Sequence, residues 1–106
     1  MKNVVDEYEI TVKTGKPLKM SVLFPNADKV EKNSSGAWRE VWSRTDGVQS
    51  DRLNVTDGNL IIKAFTASDA GTYRVLDSKE KTLITVTVTG EKLRFVEMLF
   101  IKHLDS

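Results

Sequence analysis

The sequence predicts an antiparallel all-β domain, and three observations carry that prediction. Short runs of alternating apolar residues recur along the chain, Gly, Asp, Asn and Pro punctuate them, and the run TLITVTVT at 82–89 is rich in β-branched residues. Seven or eight short strands at this spacing pack as a two-sheet sandwich or a barrel. At 106 residues the chain has room for a single domain whose core needs neither metal nor disulfide. That domain is expected over residues 5–90, with 91–106 as an extension that packs on it or acts as a linker.

Each element follows from local pattern. Tyr8, Ile10 and Val12 alternate and stop at Thr14-Gly15, giving a first strand; Leu18, Met20, Val22 and Phe24 alternate and stop at Pro25-Asn26, giving a second. The polar stretch PNADKVEKNSSG, rich in turn formers, is expected to be a long loop ending near Gly36. AWREVWSRTDG supplies the third strand, closed by Asp46-Gly47. Leu53 and Val55 form a short fourth strand that turns at Asp57-Gly58, a pair suited to the positive φ angles of a tight hairpin. Leu60, Ile62 and Phe65 carry the return strand and its end. Tyr73 and Val75 begin the sixth strand, and Ile84, Val86 and Val88 form one face of the seventh. Beyond Gly90 the pattern changes. Leu93, Val96 and Phe100 fall at helical spacing, which predicts an amphipathic helix, with an eighth strand as the alternative because Leu93 and Phe95 alternate too. Those apolar residues need cover in either conformation.

Composition narrows the function classes. Sixteen basic residues against fifteen acidic ones, with 29% charged, describe an ordinary solvated surface, so neither nucleic-acid binding nor direct membrane insertion is expected. The start MKNVVDEYE lacks the apolar stretch of a signal peptide; as it stands the chain is expected in the cytosol, and outside the cell if it is a piece of a longer secreted protein. The absence of cysteine removes thiolate catalysis, zinc–thiolate sites and disulfides. His103, the sole histidine, has no nucleophile beside it, the carboxylates have no metal-ligand spacing, and there is no glycine-rich phosphate loop. No enzyme activity, metal or cofactor is therefore expected. Asn33-Ser34-Ser35 and Asn54-Val55-Thr56 match the glycosylation acceptor pattern, so Asn33 and Asn54 are candidate glycan sites on passage through the secretory route.

The stretch LIIKAFTASDAGTYRV closely resembles the LxIxxVxxxDAGxYxC signature of the immunoglobulin superfamily, with Phe65 in place of the usual aliphatic residue and Val75 in place of cysteine. The likeness covers roughly residues 7–89 and implies a Greek-key immunoglobulin-like sandwich. It implies a tyrosine corner, in which the Tyr73 hydroxyl returns to upstream backbone. Asp69 would accept backbone N–H groups at the tight turn, Gly71 would relieve crowding, and Arg52, placed like the family's bridging arginine, would pair with Asp69. GKPLKMSVLF resembles the family's GxxVxLxC strand, which sets Val22 opposite Val75 where the inter-sheet disulfide would lie. Trp42, followed by SRTDG, resembles the family's core tryptophan in context, and Trp38 in spacing; a bulge or late strand start is expected between them, because regular alternation would bury Glu40. The distance from Trp42 to Tyr73 is too short for variable-type extra strands, which favours an I-set or C2-like arrangement without the disulfide.

Function is then expected to reside in a surface. With Tyr73 and Val75 inward, Arg74 and Leu76 face outward, joined by Leu83 and Thr85 of the last strand and by Arg39 and Val41 of the third. That face mixes apolar and basic groups, as interaction patches do. It is expected to bind another protein, either a second immunoglobulin-like domain or a second copy, as adhesion and receptor domains do, or to be covered by the C-terminal tail. The alternative is a structural repeat of an intracellular muscle or cytoskeletal filament protein, a setting similar to domains of this type that lack the bridge.

Overall fold

The computed structural model describes residues 6–91. The expected helix or strand within 92–106 lies outside the described residues. Among the described residues nine strands run in the order β1 (Asp6–Val12), β2 (Leu18–Met20), β3 (Lys29–Asn33), β4 (Trp38–Ser43), β5 (Gly47–Val48), β6 (Leu53–Thr56), β7 (Asn59–Ile62), β8 (Gly71–Leu76) and β9 (Thr82–Gly90), with a 3-10 turn over Ala67–Asp69 between β7 and β8. They form a six-stranded sheet ordered β1-β9-β8-β3-β4-β5 and a three-stranded sheet ordered β2-β7-β6. The first strand returns to pair parallel with the last, Tyr8 opposite Val86 and Ile10 opposite Val88, while every other ladder is antiparallel.

Alternation decides which side chains enter the space between the sheets. Leu18, Met20 and Val22 come from β2 and its continuation, Leu60 and Ile62 from β7, Tyr73 and Val75 from β8, and Ile84, Val86 and Val88 from β9; all are buried in one apolar cluster with Phe65 and Trp42. Fully burying each of the aliphatic residues stabilises the fold by about 1.5–3 kcal/mol. The β6–β7 hairpin turns at Asp57 (φ 51°) and Gly58 (φ 79°), the two positive angles that its two-residue loop requires.

The stretch expected as a loop contains the central strand β3. KVEKN holds one apolar residue, Val30, and that residue is fully buried, with Val75 opposite it on one side and Trp42 on the other. A single inward apolar side chain gives no alternation to detect, and the strand is defined instead by ladders on both edges. Arg44 secures the approach to β3: its backbone N–H donates to Asp28 O (2.8 Å), and its guanidinium donates to Ala27 O (2.9 Å) and Phe24 O (3.0 Å). AWREVWSRTDG consequently supplies the fourth strand, and the larger sheet continues past β3 through β4 and β5.

The two tryptophans part ways at a bulge. Val30 opposes Trp42 while Glu31 opposes Glu40, so Val41 has no partner in the register. One extra residue reverses the faces on either side of it. Trp42 points into the core, 6% exposed, whereas Trp38 is 36% exposed and Glu40 stays in solvent.

Candidate functional site

Two clusters of side chains stand out, one closing the base of the sandwich and one on the outer face of the larger sheet. At the base, Arg52 Nη1 and Nη2 donate to Asp69 Oδ1 (2.5 Å) and Oδ2 (2.7 Å), and Nη2 also donates to Ala64 O (2.8 Å). Asp69 Oδ2 accepts from the Thr66 backbone N–H (2.8 Å), and the Tyr73 hydroxyl donates to Asp69 O at 2.6 Å. The Arg52 guanidinium is the largest cause holding the Asp69 carboxyl below its ordinary range, while burial pushes the Tyr73 phenol far up. Lys32 of β3 completes the cluster: its ammonium donates to Ser68 O and lies 5.9 Å from the centre of the Tyr73 ring. Sequence reasoning missed Lys32, because nothing marked its segment as a strand.

Gly71 has φ +148°, and a Cβ there would stand 2.7 Å from Asn33 O, so β3 and β8 approach at a distance only glycine permits. Val22 and Val75, 4% and 1% exposed, both lie in the core cluster between the sheets.

On the outer face, β3, β4 and β8 bring Glu31, Trp38 and Arg74 together. Arg74 Nε and Nη2 lie 2.9 and 2.7 Å from Glu31 Oε1, and the guanidinium stacks 3.8 Å from the centre of the Trp38 ring. Glu40, on the same face, accepts from Gln49 Nε2 at 3.2 Å. Thr85 of β9 is opposite Arg74, and Leu83, unmatched in the β8–β9 register, is half-buried beside the core.

Three of the residues expected on this face differ. Leu76 is 3% exposed: the register shift at the end of β8 sets it between Lys29 and Thr82, where a partner could not reach it. Arg39 is opposite Lys32, which is opposite Tyr73, so it projects to the other side of the sheet. Val41 is the bulge residue and packs partly against the core. Both reversals in β4 come from the bulge that turns Trp38 outward.

Asn33 lies at the end of β3, where its Oδ1 accepts from the Gly36 backbone N–H (2.9 Å); Asn54 is exposed on β6, an edge strand of the smaller sheet. Among the described residues, no cluster of His, Asp or Glu is placed to hold a metal ion, and no helix is long and apolar enough to cross a membrane.

Sheet order, the parallel return of the first strand and the tyrosine-to-backbone bond together define an immunoglobulin-type sandwich, here without its inter-sheet disulfide. Solved structures agree on the fold. The second immunoglobulin domain of the mouse polymeric immunoglobulin receptor superposes with a TM-score of 0.60 at 17% identity, over 86% of this chain and 100% of that one. An extracellular fragment of novel immune-type receptor 11 from Ictalurus punctatus gives 0.61 at 17% identity, over 81% and 99%. The extracellular domain of the voltage-gated sodium channel beta4 subunit, in a structure of its parallel homodimers, gives 0.58 at 17% identity, over 90% and 95%. At these identities the likeness is one of fold. No protein-family model matches the chain, and no curated protein matches it in sequence.

Proposed function

We propose that the chain is a protein-interaction module of immunoglobulin type that binds another protein, a second immunoglobulin-like domain or a second copy of itself, through the outer face of the larger sheet around Trp38 and Arg74. The observation that carries this reading is the stacked pair itself. Trp38 is one of the three large apolar side chains exposed among the described residues, and the Arg74 guanidinium sits over its ring, 3.8 Å from the centre, while Glu31 holds the guanidinium. Tryptophan and arginine concentrate at the energetic centres of protein interfaces, and a pair already fixed in place loses little side-chain entropy on binding. Thr85 of β9 lies opposite Arg74. The structural neighbours support the same class, since the beta4 subunit is described as a parallel homodimer with a role in cell–cell adhesion.

Sedimentation of the purified chain over a range of concentrations, and binding to displayed immunoglobulin-type ectodomains, supply the complex to be tested. Trp38→Ala and Arg74→Glu are each expected to weaken it about tenfold or more, as interface-centre residues do, while Asn54→Gln on the opposite sheet leaves it unchanged. Full binding by both face variants contradicts the assignment. The lack of cysteine favours a second reading, a structural repeat of an intracellular filament protein. Such a repeat would join its neighbours through the ends of the sandwich, and both face variants would assemble normally.

A further inference from the structure

Among the described residues, no strand spans one long side of the sandwich. Among the described residues β1 is hydrogen-bonded only to β9 and β2 only to β7, so an edge of each sheet borders the seam between them. The seam holds a groove of about 350 Å³, walled by Tyr8 and Ile10 on one side and Met20 and Phe24 on the other, with Ile84 and Val86 also lining it. Tyr8 is 53% exposed, although its register places it on the inward side with Val86. Among the described residues, core-facing apolar groups and strand edges without a ladder partner therefore coincide at one site, a combination that natural sandwiches cover.

We infer that this groove is the seat of the chain's own segment 92–106, which lies outside the described residues. The point of departure supports it. Glu91 N–H donates to Val12 O at 2.7 Å, so the segment leaves from the end of β1 whose earlier residues wall the groove. From Val12 back to Tyr8 is about 13 Å at roughly 3.3 Å per strand residue. Fifteen residues follow Glu91; even as a helix they reach about 22 Å, so the segment spans the groove in either conformation. Its chemistry fits as well. Eight of the fifteen are apolar, Phe95 and Phe100 among them, with neither Gly nor Pro. Lys92, Arg94 and Lys102 complement the exposed Asp6, Glu7 and Glu9 of β1. A tethered segment also competes at an effective concentration near millimolar, well above that of a second copy in dilute solution.

Hydrogen–deuterium exchange on the full-length chain tests this. Replacing Phe95, Val96, Phe100 and Ile101 together by Ser is expected to speed exchange of residues 7–10 and 19–22 about tenfold or more, with β7 and β8 unchanged. Equal exchange in the two proteins overturns the inference, and so does protection of the seam that rises with protein concentration, which would make a second copy the occupant. A second measurement does not depend on that variant folding. The chain has no cysteine, so a nitroxide on Lys19→Cys reports on the otherwise native segment; broadening of the methyl signals of Leu93, Leu99 and Ile101 is expected, and unbroadened signals overturn the proposal.

Discussion

The Asp69 carboxylate accepts from both Arg52 nitrogens and from Thr66, and these bonds favour its charged form. Its folded proton affinity lies below the ordinary carboxylate value, so its contribution to stability is present above about pH 4 and is lost as the pH falls through that range. Tyr73 works in the opposite direction. Burial raises the phenol, so the folded state keeps the proton after the unfolded chain begins to release it near pH 10, and the contribution fades as the pH rises beyond that point. Tyr73→Phe, which removes one hydrogen bond, is expected to cost about 1 kcal/mol at neutral pH, and the gap to the parent protein should narrow above pH 10. Asp69→Asn should flatten the acid limb. Urea midpoints measured from pH 3 to pH 11 check both, and parallel profiles for parent and variants would count against the assigned roles.

At the level of strands, the bulge at Val41 makes a sharp prediction about two residues of one type. Trp42→Ala is expected to destabilise by about 3–5 kcal/mol as a core truncation. Trp38→Ala should cost about 1 kcal/mol or less, the worth of a partly exposed cation–π pair. Comparable losses in denaturant melts of the two variants would mean that the faces of β4 are assigned wrongly. The same strand shows how far the sequence could be read. Where alternation was strong, as at Leu60 and Ile62 or Ile84, Val86 and Val88, strand and inward face were both legible, while the grouping of Arg52, Asp69 and Tyr73 followed from the resemblance to the immunoglobulin signature. β3 was not, because Lys32 spends its stem beside Tyr73 and Glu31 is neutralised by Arg74, which makes a central strand look polar. Without β3, β4 is set directly beside β8. Arg39 and Val41 were thereby set beside Arg74, although β3 lies between them. Arg74 and Thr85 could be placed on the outer face from alternation alone, whereas the stack of Arg74 on Trp38 depended on the bulge and could not.

For the whole molecule, the question is what replaces the bond that usually ties the two sheets together. A bridge closing the loop from position 22 to position 75 would contribute about 4 kcal/mol in the chain-entropy picture. Burial of two valines returns about 1.5–3 kcal/mol each, and Arg52, Asp69 and Tyr73 tie the base of the sandwich. The fold therefore has enough without sulfur, provided that Val22 and Val75 meet across the core. The double variant Val22→Cys/Val75→Cys, oxidised under native conditions and resolved by mass and by urea melts, tests that most directly. A single intramolecular bridge and a midpoint higher in the oxidised than in the reduced protein are predicted. Thiols that stay free in the folded protein, or that link only between molecules, would contradict the account.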